Sequence, residues 1–428
     1  MQSDQTARRS LTVRILVGMV AGFAVGILLN VIGVEGVIGD YVVEGLFHVG
    51  GSIFLASLKL LVVPLVFVSL VCGTAALDDI SKLGRVGGKT LALYLATTAV
   101  AVSLAILAVI AIRPGDGFDL ETDVTFVAQQ PPSIAETLIN LFPTNPVRAM
   151  AEGNMLQIIV FSILFGLAVT LAGAPGKRVL AVFNDINGVI LRLVMLLMTI
   201  APYGVFCLIA KVFALQGFDA IPPLARYFFV VLGVLLLHAF VTYSVLLRFA
   251  ARLDPRAFFR KMRDPLALAF STASSNATLP VTLENAELRL GVHNSIASFT
   301  IPLGATINMD GTAIMQGVAA GFIAQAYGIE IGLVGYLMVV LTATLASIGT
   351  AGVPGVGLIM LAMVLRQVNL PVEGIGLIIG VDRLLDMVRT AVNVTGDSAV
   401  TCVVARSEGR ISTEVFDADD SHRRNASA

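Results

Sequence analysis

The stretch VDRLLDMVRTAVNVTGD, residues 381–397, places five charged side chains in an otherwise apolar part of the chain. On a helix, which turns about 100° per residue, its polar side chains fall within an arc of about 100° and leave the opposite face apolar. They are Asp382, Asp386, Arg389, Thr390, Asn393 and Asp397. Because an ionisable group costs about 2.5 kcal/mol or more at the centre of a membrane helix, we predict that this face lines a polar site inside the protein. A structural ion pair of Asp386 with Arg389, joining two helices, is the alternative, but it leaves the last two polar side chains unexplained.

A second polar run, GATINMDGT at residues 304–312, interrupts a long apolar segment. Backbone that unwinds there would expose carbonyl oxygens, and carbonyls with carboxylates are the hard ligands that small cations prefer. Asp310 and Asp397 would be two buried carboxylates, each of which needs a counterion or a proton. With the side-chain amides of Asn308 and Asn393 they form a candidate Na⁺ site. This need for a cation is a physical basis for coupling to a cation gradient.

Three further patterns resemble functional motifs but predict no site. GRVGGKT at residues 84–90 is similar to a phosphate-binding loop, but Leu83 stands where the pattern requires glycine and no strand precedes it. His48, His238 and His293 are scattered along the chain, which disfavours a metal cluster. The three cysteines lie in apolar runs without CxxC spacing, so we expect neither a zinc site nor a disulfide framework. We expect no cofactor, only sodium as a coupling ion.

The composition is typical of a polytopic membrane protein. Hydrophobic residues make up 57% of the 428 residues and charged residues only 13%, whereas about 25% of the residues in a soluble domain are charged. The mean hydropathy is +0.89, and a spanning helix needs about 20 residues. The first apolar run, residues 11–33, is long enough to span and lacks an A-x-A cleavage site, so we expect a span there and no signal peptide.

Eight long apolar runs and two interrupted segments set the expected architecture. The runs lie near residues 11–33, 42–76, 87–112, 156–174, 186–214, 222–250, 296–327 and 374–405. In the interrupted segments, 262–294 and 331–370, short apolar pieces are broken by STASSNATLP at 271–280 and by SIGTAGVPGVG at 347–357. Broken backbone at membrane depth must be buried in protein, and paired interrupted segments in a transporter indicate its binding site. We expect two re-entrant helical hairpins whose tips meet inside the protein.

The positions of the basic residues predict the orientation. Lys and Arg are concentrated before the first span and after the second, fourth, sixth and last spans. The loop after the third span is acidic instead, with Asp116, Asp119, Glu121 and Asp123. Under the positive-inside rule both termini are cytoplasmic, so the first hairpin enters from the cytoplasm and the second from outside. We expect a multi-pass protein of the cell (inner or plasma) membrane.

Five motifs in order carry a family resemblance that covers nearly the whole chain. They are PTNP at 143–146, SSNATLP at 274–280, PLGATINMDGT at 302–312, SIGTAGVPG at 347–355 and DMVRTAVNVTGD at 386–397. The chain resembles the glutamate/aspartate transporter family of dicarboxylate/amino acid:cation symporters and looks like a prokaryotic, sodium-coupled member. The resemblance implies an all-α polytopic membrane protein with eight transmembrane helices and two re-entrant helical hairpins. It also implies a homotrimer that works as an elevator.

By the same resemblance, the chain divides into a fixed scaffold and a moving transport domain. Residues 1–85 would form scaffold helices 1–2, and residues 113–215 scaffold helices 4–5. The transport domain would contain helix 3 (86–112), helix 6 (216–254), hairpin 1 (255–293), broken helix 7 (294–330), hairpin 2 (331–370) and helix 8 (371–407). Residues 408–428 would form a cytoplasmic tail.

The resemblance implies a set of substrate contacts. These residues are Ala273, Ser274, Ser275, Thr312, Val353, Gly357, Asp386, Arg389, Thr390 and Asn393. Arg389 would bind the side-chain carboxylate of the substrate, because a planar guanidinium suits bidentate hydrogen bonds. Asp386 would bind the α-ammonium group, and the α-carboxylate would lie between Asn393, Thr312 and the first hairpin. Because Arg389 and Asp386 are both present, an acidic amino acid is favoured over a neutral amino acid or a plain dicarboxylate.

The resemblance also implies three sodium sites. The first comprises Gly304, Asn308, Asn393 and Asp397; the second Thr306, Met309, Ser347, Ile348 and Thr350; the third Tyr94, Thr97, Thr98, Asn308 and Asp310. Taken alone, the set Tyr94, Thr97 and Thr98 indicates ordinary packing on a helix face.

The chain departs from the family pattern near the substrate contacts. Some relatives carry an arginine just before the serines of hairpin 1 and others carry it beside the aspartate of the last helix, where this chain has Ala273 and Met387. Asn276 replaces a third serine. A potassium step is therefore not carried over, and Arg383, one turn earlier on the last helix, is a candidate substitute for the missing arginine.

The sequence thus predicts a secondary active symporter that takes up L-aspartate or L-glutamate with sodium, and not an enzyme. The same fold coupled to protons, carrying glutamate or C4-dicarboxylates, is the alternative; its buried carboxylates would titrate instead of binding Na⁺. The NMDGT run favours sodium, and the ligand-sized polar face of the last helix argues against an ion channel. The expected partners are an acidic amino acid, sodium, the lipid bilayer and two further copies of the chain, without nucleic acid.

Overall fold

The fold is almost entirely helical throughout the described part of the chain. The computed structural model describes residues 2–34, 36–75, 80–118, 139, 142–348, 350 and 352–418. Asp119, Glu121 and Asp123 of the predicted acidic loop lie outside these residues, as do residues 419–428 of the expected tail.

The helices follow one another with short connections. They are α1 (Gln2–Ile32), α2 (His48–Ala75), α3 (Ile80–Ile112), α4 (Pro146–Glu152), α5 (Met155–Leu171), α6 (Ala174–Met198), α7 (Ala201–Gln216), α8 (Ile221–Leu237), α9 (Pro255–Lys261), α10 (Arg263–Thr272), α11 (Ser275–Leu288), α12 (Asn294–Ile307), α13 (Asp310–Ala326), α14 (Gly332–Ser347), α15 (Val356–Gln367), α16 (Ile375–Ser407) and α17 (Thr413–Asp417). A π-helical segment, Ile38–Phe47, leads into α2, and two more, His238–Thr242 and Leu246–Ala251, extend α8.

Several helices are long and apolar enough to cross a membrane. In the described residues these candidate spans are Val13–Ile32, Ile38–Ala75, Arg85–Ile112, Ala174–Met198 and Ala201–Ala251. Shorter apolar helices occupy Gln157–Leu171, Gly332–Ser347 and Val356–Gln367. Length and apolar composition therefore agree with the predicted integral membrane protein.

The fifth apolar run, predicted near residues 186–214, differs from a single continuous helix. It falls on two helices, because α6 ends at Met198 and α7 begins at Ala201. Pro202 lies in the first turn of α7, where its missing N–H costs no helical hydrogen bond. The proline therefore begins a new helix inside an apolar run whose composition alone indicates no break.

Glycines let α1 pack closely on α7, the most extensive helix pairing in the fold. A Cβ placed on Gly22 would lie 2.6 Å from the backbone oxygen of Phe206, and one on Gly26 would lie 2.7 Å from that of Ala210. Small residues four positions apart are typical of such close helix pairs in membranes. Since α2 also packs against α5, α6 and α7, these helices form one packed group.

The remaining long helices pack around α16. Its contacts include α8, α10, α12 and α13, and α13 also lies along α3 and α14. These helices bury most of the polar side chains of the predicted site, including Asp310, Asn393 and Asp397. The second packed group therefore contains the candidate site.

Each interrupted segment forms two short helices, and the turns of the two pairs touch. The first helix pair is α10 with α11, and the second helix pair is α14 with α15. The Ser274 hydroxyl, which also caps α11, donates a hydrogen bond of 2.7 Å to the Gly352 carbonyl. The Asn276 N–H donates to the same carbonyl at 3.3 Å. The two turns therefore meet through backbone and side-chain hydrogen bonds.

The chain folds back after α16. Val292 and Ile411 form an antiparallel bridge, and the Ser412 N–H donates to the Gly291 carbonyl at 2.8 Å. The buried Lys261 ammonium donates to the Val415 carbonyl at 2.6 Å. Residues 411–415 of the expected tail therefore contact the segments that flank the first helix pair.

Candidate functional site

A buried ion-pair cluster lies on the polar face of α16. The Arg389 guanidinium donates to Asp382 Oδ1 at 2.7 Å through Nη1 and to Asp386 Oδ1 at 2.8 Å through Nη2. All three residues are buried. The ion pairs stay within one helix, so they do not join two helices as the structural alternative requires. Asp382 is on the predicted polar face, but the predicted substrate contacts do not include it.

Asp386 contacts a second guanidinium. Its Oδ2 lies 3.3 Å from Arg383 Nη1, so its two carboxylate oxygens each face a different arginine. The Thr390 hydroxyl donates to the Asp386 backbone carbonyl at 2.8 Å, one turn back on the helix. The cluster therefore contains two aspartates and two arginines, and their formal charges cancel.

Two other helices approach the Arg389 guanidinium. A Cβ on Gly357, at the start of α15, would lie 3.4 Å from Arg389 Nη2 and 3.3 Å from the Thr312 methyl group of α13. A cavity beside the cluster is lined by Asp382 and Arg383 and, on its other wall, by Met198 of α6. Gly357 and Thr312 therefore pack against the arginine, and the cavity opens on the side of the cluster formed by Asp382, Arg383 and Asp386.

The predicted residues at the helix-pair turns form a neighbouring group. Ala273 has φ of +48° and ends α10 in the left-handed region. Ser274 and Ser275 follow it, and a Cβ on Gly352 would lie 3.1 Å from that of Ser275. Val353 is half-buried beside them. Within the described residues, no hydrogen bond joins these side chains to α16, so the turns close near the cluster without bonding to it.

The backbone breaks between α12 and α13. Asn308 has extended φ and ψ of −95° and 90°, and its side-chain N–H₂ donates to Asp397 Oδ1 at 2.9 Å and to the Asn393 carbonyl at 3.3 Å. Asn393 Oδ1 accepts from the Gly311 N–H at 2.7 Å. Asn308 Oδ1 is buried without a hydrogen-bond partner among the described residues. An orphaned oxygen beside a buried carboxylate is the arrangement that a bound cation satisfies.

The absence of a side chain at Gly304 lets two oxygens lie close against the backbone of α12. A Cβ at this position would lie 2.5 Å from Asp397 Oδ1 and 2.6 Å from Tyr94 Oη. In the part of the chain that the structure describes, Asp397 has no lysine or arginine within ion-pair distance. The four residues of the first predicted sodium site are thus brought together, and their hard oxygens fit Na⁺.

Asp310 lies near the other residues of the third predicted sodium site. Its Oδ1 accepts from the Thr98 hydroxyl at 2.5 Å. Thr97 and Thr98 both lie within hydrogen-bond distance of the Tyr94 carbonyl, at 3.1 and 2.8 Å. The Tyr94 hydroxyl itself donates to the Thr300 carbonyl at 3.0 Å. Thr98 therefore does more than pack a helix face, because it places a hydroxyl on a fully buried carboxylate, whereas Thr97 and Tyr94 bond to backbone carbonyls.

Sequence reasoning missed two further partners of Asp310. The Tyr243 hydroxyl donates to Asp310 Oδ2 at 2.8 Å, and His238 Nε2 lies 3.0 Å from the same oxygen. Both residues lie in the apolar run near 222–250, five positions apart. On an α-helix that spacing separates two side chains by about 140°, so the pattern gives no signal that they share a target.

The second predicted sodium set is less closely connected. The hydroxyls of Ser347 and Thr350 donate to carbonyls of their own turn at 2.8 Å each. Thr306 donates to the Leu303 carbonyl at 2.9 Å, and Met309 Sδ lies 3.2 Å from Asn393 Nδ2. Ile348 is buried. Across the described residues, no hydrogen bond connects Thr306 or Met309 to the turn of α14.

The comparisons with known proteins fit this architecture. Residues 11–407 match the model of the sodium:dicarboxylate symporter family. The chain is 38% identical over 411 residues to a proton/glutamate-aspartate symporter of Escherichia coli (strain K12), covering 93% of each protein. It is 36% identical to a proton/sodium-glutamate symport protein of Bacillus caldotenax, over 94% of this chain and 95% of the relative. A C4-dicarboxylate transport protein of Bacillus subtilis (strain 168) is 31% identical over 94% of each.

These matches confirm the predicted resemblance and the prediction that the protein is not an enzyme. The family is one of transporters, and the match covers almost the whole chain. The chain belongs to the sodium:dicarboxylate symporter family.

Proposed function

We propose that this protein is a secondary active symporter that takes up L-aspartate or L-glutamate together with Na⁺. One observation carries the proposal: α16 presents Asp386 and Arg389 on the same buried face as Asn393 and Asp397. The second pair contacts the helix break at Asn308. An organic zwitterion and a cation can therefore bind within about two turns of each other on one helix.

The substrate site is built on the ion-pair cluster. The Arg389 guanidinium already forms short hydrogen bonds to two carboxylates, so a substrate carboxylate can replace that of Asp386, which keeps its contact with Arg383 and is not left unpaired. Asp386 then binds the α-ammonium group, with Thr390 and Asn393 nearby. Thr312, Gly357, Val353 and the Ala273–Ser275 turn enclose the ligand.

Na⁺ binds to the buried oxygens around the helix break, and this binding couples the Na⁺ gradient to substrate uptake. The first and third predicted sites are supported by the orphaned Asn308 Oδ1 and by the buried carboxylates of Asp397 and Asp310. The second site, at Thr306, Met309 and residues 347–350, needs the turn of α14 to approach the break more closely. Each net positive charge that enters at a membrane potential of 100 mV releases about 2.3 kcal/mol, which drives accumulation.

The proposed mechanism is an elevator, in which a transport domain moves across a fixed scaffold. The chain forms eight transmembrane helices and two re-entrant hairpins in the cell membrane, with both termini cytoplasmic, and assembles as a homotrimer. The two packed groups support this division: α1, α2, α5, α6 and α7 make the scaffold, whereas α3, α8 and α10–α16 move together. The division follows the ranges given above for the scaffold and the transport domain.

Proton coupling of the same fold, with glutamate or a C4-dicarboxylate as substrate, is the second candidate. Three relatives support it: the Escherichia coli protein is named for protons, the Bacillus caldotenax protein for protons and sodium, and the Bacillus subtilis protein for C4-dicarboxylates. The contact of Arg383 with Asp386 favours a substrate without an amino group, because it partly neutralises the predicted ammonium-binding carboxylate.

Uptake of radiolabelled L-aspartate into proteoliposomes distinguishes these candidates. Inward gradients of Na⁺ and of H⁺ are applied separately, with equal ion concentrations on both sides as the control. We expect uptake that requires Na⁺. Uptake driven by H⁺ alone overturns sodium coupling and keeps the substrate, and uptake of succinate or malate without aspartate overturns the role of Asp386.

A further inference from the structure

The extension of α8 contains a π-helical turn, His238–Thr242, at the level of Asp310. The Tyr243 N–H donates to the His238 carbonyl five residues earlier. In an α-helix, residues five apart point about 140° away from each other. The wider π turn, closed by the five-residue hydrogen bond, brings them to one side of the helix, and such turns are frequent at functional sites.

The two side chains meet on a single carboxylate oxygen. His238 Nε2 and Tyr243 Oη lie 3.0 and 2.8 Å from Asp310 Oδ2. Their rings contact edge to face, with centroids 4.7 Å apart. A carboxylate oxygen accepts, so the imidazole proton lies on Nε2. All three side chains are fully buried, and therefore Asp310 Oδ2 already has two hydrogen-bond partners inside the protein.

The other oxygen of Asp310 has a more adaptable partner. The Thr98 hydroxyl lies 2.5 Å from Asp310 Oδ1 and 2.8 Å from the Tyr94 carbonyl. A hydroxyl has one proton and can donate fully to only one of these acceptors. When it turns to the Tyr94 carbonyl, both Thr98 Oγ1 and Asp310 Oδ1 present lone pairs on the same side.

We propose that His238 and Tyr243 are positioning residues that hold the Asp310 carboxylate by one oxygen and direct the other toward a Na⁺ bound with Thr98. The proposal rests on the sodium coupling proposed above. The two donors fix the plane of the carboxylate, which otherwise rotates freely about its Cβ–Cγ bond. A preorganised oxygen binds the cation more tightly, because no reorientation is needed on binding.

Three variants separate positioning from simple packing. Tyr243→Phe removes one hydroxyl and keeps the ring; His238→Gln keeps an N–H donor, and His238→Leu removes it. Tyr227→Phe is the matched control, because Tyr227 is as buried on the same long helix and its hydroxyl has no hydrogen-bond partner in the described residues. Gel filtration of each purified variant verifies folding.

Two measurements follow Na⁺ directly. One is the Na⁺ concentration that gives half of the maximal rise in Tm without substrate, and the other is the Na⁺ concentration for half-maximal aspartate uptake. We expect both to rise about tenfold in Tyr243→Phe and in His238→Leu, because each loses a hydrogen bond to a charged group. His238→Gln and Tyr227→Phe should stay within about twofold of the wild type, and the KM for aspartate at saturating Na⁺ should hardly change.

The outcomes separate this proposal from the proposed function. A wild type that responds to Na⁺, together with Tyr243→Phe and His238→Leu variants that respond identically, overturns the positioning role and leaves sodium coupling intact. Equal losses in His238→Gln and His238→Leu, or a changed aspartate KM without a changed Na⁺ response, also overturn it. A wild type without any Na⁺ response overturns both proposals.

Discussion

Arg389 illustrates how one residue can be both a structural and a recognition group. Its guanidinium is almost completely removed from solvent, at 0% exposure, and it donates two short hydrogen bonds and a longer one of 3.4 Å to carboxylates. The desolvation cost of this buried charge is offset only while carboxylates remain in contact with it. A substrate that carries its own carboxylate can exchange with Asp386, which keeps its contact with Arg383, whereas a neutral side chain cannot.

Replacement of Arg389 by lysine should weaken acidic substrates selectively. The ammonium group keeps the charge but cannot offer a planar pair of N–H donors. We expect the KM for L-aspartate to rise about tenfold to a hundredfold, as for loss of a hydrogen bond between charged groups. The measurement is concentration-dependent uptake in proteoliposomes. Arg383→Lys is the matched control, and an unchanged KM in Arg389→Lys contradicts the assignment.

Arg383 should tune selectivity between amino acids and plain dicarboxylates. Its contact with Asp386 Oδ2, at 3.3 Å, places a positive charge beside the carboxylate proposed to bind the ammonium group. In Arg383→Ala we expect the ratio of aspartate to succinate uptake to increase about threefold, since the charge is partly screened by solvent. Competition of both unlabelled substrates against labelled aspartate measures the ratio. A constant ratio removes Arg383 from the site and excludes it as a substitute for the arginine missing at Ala273 and Met387.

At the scale of elements, the break between α12 and α13 depends on a glycine one turn before it. A Cβ on Gly304 would clash with Asp397 Oδ1 and Tyr94 Oη, at 2.5 and 2.6 Å. We expect Gly304→Ala to raise the Na⁺ concentration for half-maximal uptake about tenfold, because the added methyl occupies the cation space and overpacking costs about 1–3 kcal/mol. Uptake at varied Na⁺ and fixed aspartate provides the measurement.

Gly233→Ala is the control for that substitution. Gly233 is also helical, but nothing lies within 4 Å of a Cβ there, so alanine should leave the Na⁺ response unchanged and add up to about 1 kcal/mol of helix stability. Equal Na⁺ responses in the two variants would mean that Gly304 only permits helix packing.

The start of α3 and the end of α16 are joined by a charge cluster whose acidic member, Glu408, lies just beyond the end of α16. Glu408 hydrogen-bonds Arg85 and lies 2.6 Å from Lys89 Nζ. These partners, Arg85 first and then Lys89, lower the pKa of Glu408 from 4.5 to about 2. Because the folded pKa lies below the unfolded one, the stabilisation is complete above pH 4.5 and is lost as the pH falls toward 2.

Glu408→Gln should therefore lower Tm at pH 7 and have less effect at pH 3. The loss at pH 7 should not exceed a few degrees, because ion pairs that contact water contribute little. Thermal unfolding of the detergent-solubilised protein at both pH values is the measurement, with Glu414→Gln as the control. A Tm difference that is the same at pH 7 and pH 3 contradicts the predicted linkage.

The helical elements differ in how well the sequence predicts them. The polar face of α16 was predictable, because polar side chains recur at helical spacing in residues 382–397. Charged side chains are costly to expose to lipid, so a buried polar site is expected there. The break at Asn308 was predictable for the same reason. His238 and Tyr243 were not, because only a π turn, which follows no hydrophobic period, brings them together on Asp310.

Partners within the cluster also escaped prediction. The spacing of Asp386 and Arg389 shows that they share a face, but not that Arg389 turns back toward Asp382, seven residues earlier. That choice depends on the crowding at Gly357 and Thr312, which come from other helices. The break before α7 was missed because Pro202 lies inside an apolar run of sufficient length for one span.

At the scale of the whole molecule, the elevator proposal requires that α16 slide past α7. Leu208 of α7 faces Gly376 of α16, where a Cβ would lie 3.8 Å from that of Leu208. Gly50 of α2 faces Cys207 of α7 in the same way, with a Cβ separation of 3.6 Å. Both distances fall in the range of disulfides, which is about 3.5–4.5 Å. The first pair crosses between the proposed scaffold and moving unit, and the second lies within the scaffold.

Disulfides at these two places should have opposite consequences. The Leu208→Cys/Gly376→Cys protein, with its native cysteines replaced, should lose aspartate uptake on oxidation and recover it on reduction, because the link fixes α16 to α7. Gly50→Cys, which pairs with the native Cys207 after Cys72 and Cys402 are replaced, should transport equally well oxidised or reduced. Mass spectrometry verifies each disulfide, and the measurement is uptake before and after a membrane-permeable oxidant. If the Leu208–Gly376 link forms completely and uptake persists, α16 does not move relative to α7 during transport, and the substrate must cross by a local opening of the helix-pair turns at Ser274 and Gly352.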